Sequence, residues 1–260
     1  MSDHRLARMA QETVSLKIKR GTGDGESHWE QFRVPRRPNM NVIACLQEIQ
    51  KNPVTADGSE TTPVAWDCSC LEEVCGACTM VINGRVRQSC SALVQPLAGG
   101  GETIVLEPMS KFPRVRDLVV DRQSMFDSLK RVQAWIHIDG SHDIGAGPRV
   151  PSGDQETMYA LSRCMTCGCC VEACPNYNDR SPFMGPQILS IVRMYNMHPS
   201  GKLQEGERLD AIMGEGGIAD CGKAQNCVKV CPKQIPLTES IAVLGRETFK
   251  RALFGWLLRG

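Results

Sequence analysis

The 260-residue sequence lacks any run near the ~20 apolar residues that a bilayer span requires. The best stretch, Ile241 to Leu258, is broken by Arg246, Glu247, Lys250 and Arg251, whose spacing gathers them on one helical face opposite Ile241, Phe249 and Trp256. It reads as a C-terminal helix packed on its own domain, with contact to a membrane surface or a membrane partner as the alternative. Met1 to Thr13 has neither an apolar core nor a twin arginine, so no secretory signal is expected. Charge of one sign is lacking too. The 30 Lys and Arg against 29 Asp and Glu leave a formal +1, which argues against a nucleic-acid partner. Aromatics are scarce (six Phe, four Trp, three Tyr), so the cores must be largely aliphatic. No G-x-G-x-x-G follows a strand, and there is no P-loop and no H-E-x-x-H. The five histidines, at positions 4, 28, 137, 142 and 198, form no Cys-x-His pair, which argues against a Rieske centre. No nucleophile–base pair stands out, so no catalytic residue is expected in this chain.

What the sequence does have is cysteine, 14 residues in a chain too large to need disulfide staples. Thirteen fall in three clusters, too dense for all to pair within disulfide geometry. Ligation in a reducing compartment is the better reading. Cys70-x4-Cys75-x2-Cys78, with Cys90 further on, has the plant-type ferredoxin spacing for a [2Fe–2S] centre. Gly76 would let backbone approach the bridging sulfides. Four thiolates also suit structural zinc, but the x4 spacing and the wide gap to Cys90 favour iron–sulfur. Cys68 fits no spacing rule and reads as a non-ligand.

The second cluster, Cys164-x2-Cys167-x2-Cys170-x3-Cys174-Pro175, is the run used by bacterial two-cluster ferredoxins, whose fourth cysteine ligates the other cluster. The third, Cys221-x5-Cys227-x3-Cys231-Pro232, keeps the frame but has Ala224 where the middle cysteine should stand. Crossing the ligands gives Cys164, Cys167, Cys170 and Cys231 around a [4Fe–4S] cube. It leaves Cys174, Cys221 and Cys227, three thiolates, for which [3Fe–4S] is the natural centre. Cys169 fits neither set and reads as a small buried residue; Cys45 reads as a core residue.

The elements around these clusters split the chain. Alternation predicts strands from Thr13 to Lys19 and from Trp29 to Val34. Asn41 caps a predicted helix carrying Val42, Cys45, Leu46 and Ile49. Asn83-Gly84 predicts a hairpin between Met80–Ile82 and Val86, and Thr103–Leu106 a last strand. Beyond residue 110 no strand pattern of any strength appears. A helix is predicted to open at Asp117 and to carry Leu118, Met125, Phe126, Leu129 and Val132. Others are predicted after Asp154, from Pro186, around Glu207 to Met213 and from Thr238, with an ordered loop over His137 to Gly153. The expected class is α+β, residues 11–110, followed by all-α, residues 111–260.

Cys70-Leu71-Glu72-Glu73-Val74-Cys75-Gly76-Ala77-Cys78, Cys164-Met165-Thr166-Cys167, and Asp220-Cys221-Gly222 through Cys231-Pro232 carry a resemblance to one family over nearly the whole chain. The chain resembles the iron–sulfur subunits of succinate dehydrogenase and fumarate reductase, respiratory complex II. The resemblance implies a β-grasp domain like plant-type ferredoxin and a helical domain like bacterial ferredoxin. It implies docking between a flavoprotein subunit with covalent FAD, where succinate is oxidised, and a membrane anchor holding quinone. Electrons would run FAD, [2Fe–2S], [4Fe–4S], [3Fe–4S], quinone, with Pro175 next to the quinone. Many members have a Trp and a His where this chain has Asp179 and Gly222. In that respect it looks more like the branch with a di-haem cytochrome b anchor and menaquinone. The expected place is peripheral, on the cytoplasmic face of a bacterial membrane. The alternatives are the same machine run in reverse as a fumarate reductase, and a freestanding multi-cluster carrier.

Overall fold

In the first half, apolar residues at every second position build a sheet, and one capped helix covers it. The computed structural model describes residues 13–137 and 149–255. Strands β1 (Thr13–Arg20), β2 (His28–Pro35), β3 (Thr79–Ile82), β4 (Arg85–Gln88) and β5 (Ile104–Glu107) form one mixed sheet in the order β2-β1-β5-β3-β4. Along β1, Val14, Leu16 and Ile18 point inward and are buried, as the alternation predicts. Among the described strands only the β1–β5 pair is parallel, and helices α1 (Val42–Lys51) and α2 (Val94–Ala98) lie in the connection between its strands. The predicted cap is present: Asn41 Oδ1 accepts from the Ala44 N–H at 2.9 Å. Cys45 lies in the core, where burial pushes its thiol up to about 12.

Between β3 and β4 the chain turns at Asn83 (φ 49°) and Gly84 (φ 73°), the left-handed pair a type I′ hairpin needs. Thr79 pairs with Gln88 across this hairpin, and the Ser89 N–H donates to the Cys78 carbonyl just beyond it. The register therefore sets Cys78 opposite Ser89, and Cys90 follows one residue on, packed with Cys78 in one cluster. Asn41 Nδ2 also donates to the Cys90 carbonyl at 2.8 Å, tying the helix cap to the last cysteine of the cluster.

Residues 114–120 differ from the sequence expectation. They form a small hairpin, β6 (Arg114–Arg116) and β7 (Val119–Val120), and the helix that follows, α3 (Gln123–Arg131), starts six residues after Asp117. Asp117 is no helix cap. It has φ 48°, and its carboxylate pairs with the buried Arg20 at 2.9 Å and accepts from the Gly21 and Ala65 N–H groups. Leu118 packs into the sheet core. The two compact units accordingly divide at Met1–Asp121 and Arg122–Gly260.

Burial alone would raise the Asp117 carboxyl, but its hydrogen bonds to Arg20, Ala65 and Gly21 outweigh this and hold it below the usual carboxylate range. A depressed folded-state value stabilises the fold above the unfolded carboxyl's own value, and this is lost as pH falls through the folded one. Asp117→Ala leaves the buried Arg20 with the half-buried Glu30 as its remaining carboxylate partner. It should cost about 3–5 kcal/mol in a denaturant titration at neutral pH, and much less in acid.

The second unit is helical among the described residues, apart from an isolated bridge between Asn178 and Ser181. Its elements are α3, α4 (Ser152–Ser162), α5 (Cys169–Glu172), α6 (Pro186–Met197), α7 (Glu205–Met213), α8 (Asn226–Val230) and α9 (Leu237–Phe254). The predicted Pro186 is the first residue of α6, and Ile188, Leu189 and Val192 of that helix anchor a core with Leu209, Ile212 and Leu244. Helix α4 opens at Ser152, two residues before Asp154, which instead sits in its first turn. Most of the expected His137–Gly153 loop, His4 and His142, Met1 to Glu12 and the chain from Trp256 onward lie outside the described residues.

Candidate iron–sulfur sites

The loop from Cys70 to Cys78 coils around its own sulfurs. Leu71, Glu73 and Gly76 all have left-handed φ values, 60°, 56° and 73°. Such conformations turn successive N–H groups to one side as an anion-binding nest. Glu72, Val74 and Cys75 N–H groups donate to Cys70 Sγ at 3.3–3.4 Å, and Ala77 N–H donates to Cys75 Sγ. Those backbone donors draw the Cys70 thiol down to about 7. Burial first, and then the Cys78 side chain, push Cys90 up to about 11. The structure thus brings Cys70, Cys75, Cys78 and Cys90 into one neighbourhood, with Cys78 and Cys90 packed against Ile43. Cys68 is exposed beside them.

In the second unit Cys170, driven well up by burial, feels Cys167, Cys164 and Cys231 and, after these, Cys227. Burial likewise raises Cys164, to about 11, with Cys167 and Cys231 adding to it. The same four line one small cavity. The neighbours of Cys227 within its own set are Cys174 and Cys221. Those three line a second cavity of about 960 Å³ that also contains Ala224 and Pro175.

The backbone repeats as well. Thr166 (φ 51°) and Gly168 (φ 89°) flank Cys167; Lys223 (φ 55°) and Gln225 (φ 59°) flank Ala224. Two non-glycine residues accept a left-handed conformation on either side of Ala224, so the third segment folds as the second does with its middle cysteine replaced. At Gly222, an added Cβ would run into Asn176 Oδ1, so this carboxamide leaves no room for a side chain at position 222. Asp179 is exposed.

The donor sets fit iron–sulfur clusters. Every set is thiolate-rich, and N–H groups are aimed at the sulfurs of Cys70, Cys75 and Cys231. Among the described residues no three His, Cys, Asp or Glu side chains gather closely enough for a single metal ion. In such clusters no iron takes more than two of the thiolates, so three need not converge on one point.

Some functional neighbours carry no spacing signal. Cys169 is fully buried, and its side chain is the largest influence lowering Cys167 to about 7; Arg122 contributes, and donates to the Cys167 carbonyl at 3.3 Å. Two buried glutamines touch ligand-set sulfurs: Gln88 Oε1 lies 3.6 Å from Cys78 Sγ, and Gln187 Oε1 3.8 Å from Cys170 Sγ. Gln88 was findable as a polar residue at an inward position of β4, level with the buried Val86.

A sheet unit and a helical unit, each wrapped around its own cysteines, define an iron–sulfur electron carrier in two ferredoxin-like parts. Residues 15–127 match the family model of a 2Fe-2S iron-sulfur cluster binding domain, and residues 160–235 match that of a 4Fe-4S dicluster domain. The chain is 57% identical to the succinate dehydrogenase iron-sulfur subunit of Bacillus subtilis, over 92% of this chain and 93% of that one. It is 30% identical to the fumarate reductase iron-sulfur subunit of Wolinella succinogenes, over 85% and 89% of the two chains. Its fold is like that of a chain in the Mycobacterium smegmatis Sdh1 complex in the apo form, with TM-score 0.79 and 23% identity over 93% of this chain and 98% of that one. The chain belongs to the family of succinate dehydrogenase and fumarate reductase iron–sulfur subunits, and its role is electron transfer.

Proposed function

We propose that this chain carries electrons from the FAD of a flavoprotein partner to quinone at a membrane anchor, in the direction of succinate oxidation. When bound, the three clusters supply one-electron steps in the order [2Fe–2S], [4Fe–4S], [3Fe–4S]. The first is held by Cys70, Cys75, Cys78 and Cys90, the second by Cys164, Cys167, Cys170 and Cys231, the third by Cys174, Cys221 and Cys227. The observation that carries the reading is the pair of interleaved cysteine segments with Ala224 at the place of the missing ligand, beside an open cavity. The direction rests on 57% identity to a succinate dehydrogenase subunit against 30% to a fumarate reductase subunit.

The mixed sheet covered by the capped helix of its crossover supports a β-grasp ferredoxin domain, and the helices around paired Cys-Pro segments support a bacterial-ferredoxin-like domain. Partner docking accounts for apolar side chains left in water. Leu71 and Val74 are 48% and 57% exposed on the first cysteine loop, and Phe249, Leu253 and Phe254 are exposed on α9. These surfaces speak against a freestanding carrier. No described helix is long and apolar enough to cross a membrane, so attachment through an anchor subunit is part of the proposal, at the cytoplasmic face of a bacterial membrane. The anchor is a di-haem cytochrome b type and the acceptor menaquinone. Pro175, in the cavity beside Cys174, would be the quinone-proximal residue.

Cys75→Ser in the purified complex tests the route. The reduced [2Fe–2S] EPR signal should disappear and quinone reduction by succinate should fall at least about a hundredfold, while succinate oxidation by an artificial acceptor at the flavin stays near wild type. Undiminished quinone reduction with the signal gone would mean that electrons bypass the first unit.

A further inference from the structure

Two cations stand on the loops around the cysteines of the second ligand set. Arg122, just before α3, donates from Nη1 to the Cys167 carbonyl at 3.3 Å. Its charge draws the Cys167 thiol down, behind the larger influence of the Cys169 side chain. Further along α3, the buried Met125 lines the small cavity shared by Cys164, Cys167, Cys170 and Cys231. The start of α3 is thus one wall of the site.

The second cation is Lys233, which follows Cys231-Pro232 and lines the same cavity. The chain folds tightly there. Gln234 has φ 54°, its N–H donates to the Cys231 carbonyl at 3.2 Å, and the Ile235 N–H donates to Cys231 Sγ at 3.4 Å. Lys233 is therefore held in the turn that closes over this sulfur. Both basic residues are half-buried. Among the described residues no ion pair neutralises Lys233, and no Asp or Glu lines the cavity.

We propose that Arg122 and Lys233 are potential-setting residues of the [4Fe–4S] centre, their positive charges raising its midpoint potential. The inference rests on the [4Fe–4S] assignment of Cys164, Cys167, Cys170 and Cys231. One-electron reduction adds a negative charge to a site already made anionic by its thiolates. A fixed cation beside it stabilises the reduced form more than the oxidised form. Cys169 and Cys170 are buried, so little water stands there to screen the attraction. The second station of the path then accepts an electron more readily from the first.

The test is an EPR-monitored redox titration of the purified complex. Arg122→Gln and Lys233→Gln remove the charge and keep a polar hydrogen-bonding side chain; Arg122→Lys and Lys233→Arg keep the charge. At the wild-type midpoint, each neutral variant should lower the reduced-to-oxidised ratio of this centre about threefold, a shift of about 28 mV at 59 mV per tenfold. The double neutral variant should lower it about tenfold, and the charge-keeping variants should stay near wild type. The [2Fe–2S] and [3Fe–4S] midpoints should move less. An unchanged midpoint in either neutral variant that carries the [4Fe–4S] signal overturns the proposal. So does an equal shift in its charge-keeping counterpart, which would assign the effect to packing. Loss of the signal from both neutral variants would make Arg122 and Lys233 structural residues and overturns it too. Absence of that signal from wild-type complex would overturn the cluster assignment instead.

Discussion

Ala224→Cys is expected to convert the [3Fe–4S] centre into a [4Fe–4S] centre. Position 224 lies between two left-handed residues, Lys223 and Gln225, as Cys167 lies between Thr166 and Gly168, and it lines the same cavity as Cys174, Cys221 and Cys227. A thiol there would meet the vacant corner. The oxidised variant should lose the [3Fe–4S] EPR signal, and the new centre should have a lower potential, because cluster type and net charge are among the terms that set it. Quinone reduction by succinate should fall about tenfold or more, a barrier rise of about 1.4 kcal/mol or above. Succinate oxidation by an acceptor at the flavin should be unaffected. An oxidised [3Fe–4S] signal at wild-type strength would show that residue 224 does not face the cluster.

The second large effect comes from the crossing of the two helical segments. Cys231 ends the third segment, yet it is a neighbour of Cys164 and Cys170, while Cys174 ends the second segment and is a neighbour of Cys227. Cys231→Ser should therefore abolish the reduced [4Fe–4S] signal and leave the [3Fe–4S] signal in place. Cys174→Ser should do the reverse. If each variant instead lost the cluster of its own segment, the ligands would be sequential, and the pairing of Cys231 with Cys170 would be a packing contact only. Either variant should interrupt electron flow to quinone, since each removes one station of a serial path.

These two predictions were legible in the sequence because iron–sulfur ligation restricts cysteine spacing more tightly than folding restricts most residues. The sheet was legible for a similar reason: Val14, Leu16 and Ile18 alternate, and Asn83-Gly84 admits few turns. The 114–120 hairpin was not. Asp117 followed by Leu118 and, a helical repeat on, Met125 imitates a capped amphipathic helix. What decides its structure is the Arg20–Gly21 corner, 96 residues before it by the Gly21 hydrogen bond. A local pattern carries no trace of such a partner. Gln88 was legible only in part. Its step of two from Val86 gives the inward face of β4, but the strand's other polar residues, Arg85 and Arg87, suggest solvent, and its nearness to Cys78 appears only once the register with Thr79 is known. The early start of α4 at Ser152 reflects the ordinary latitude of helix ends.

The central claim is that one chain holds three different clusters, the last of them short of one ligand. Low-temperature EPR of the purified native complex, oxidised and then stepwise reduced, tests it most directly. The account predicts one [3Fe–4S] spin per chain in the oxidised sample. On reduction one [2Fe–2S] and one [4Fe–4S] spin should follow, with iron bound in the proportion three, two and four. An oxidised complex with full iron loading and no [3Fe–4S] signal, or a reduced one with two [4Fe–4S] centres, would contradict it.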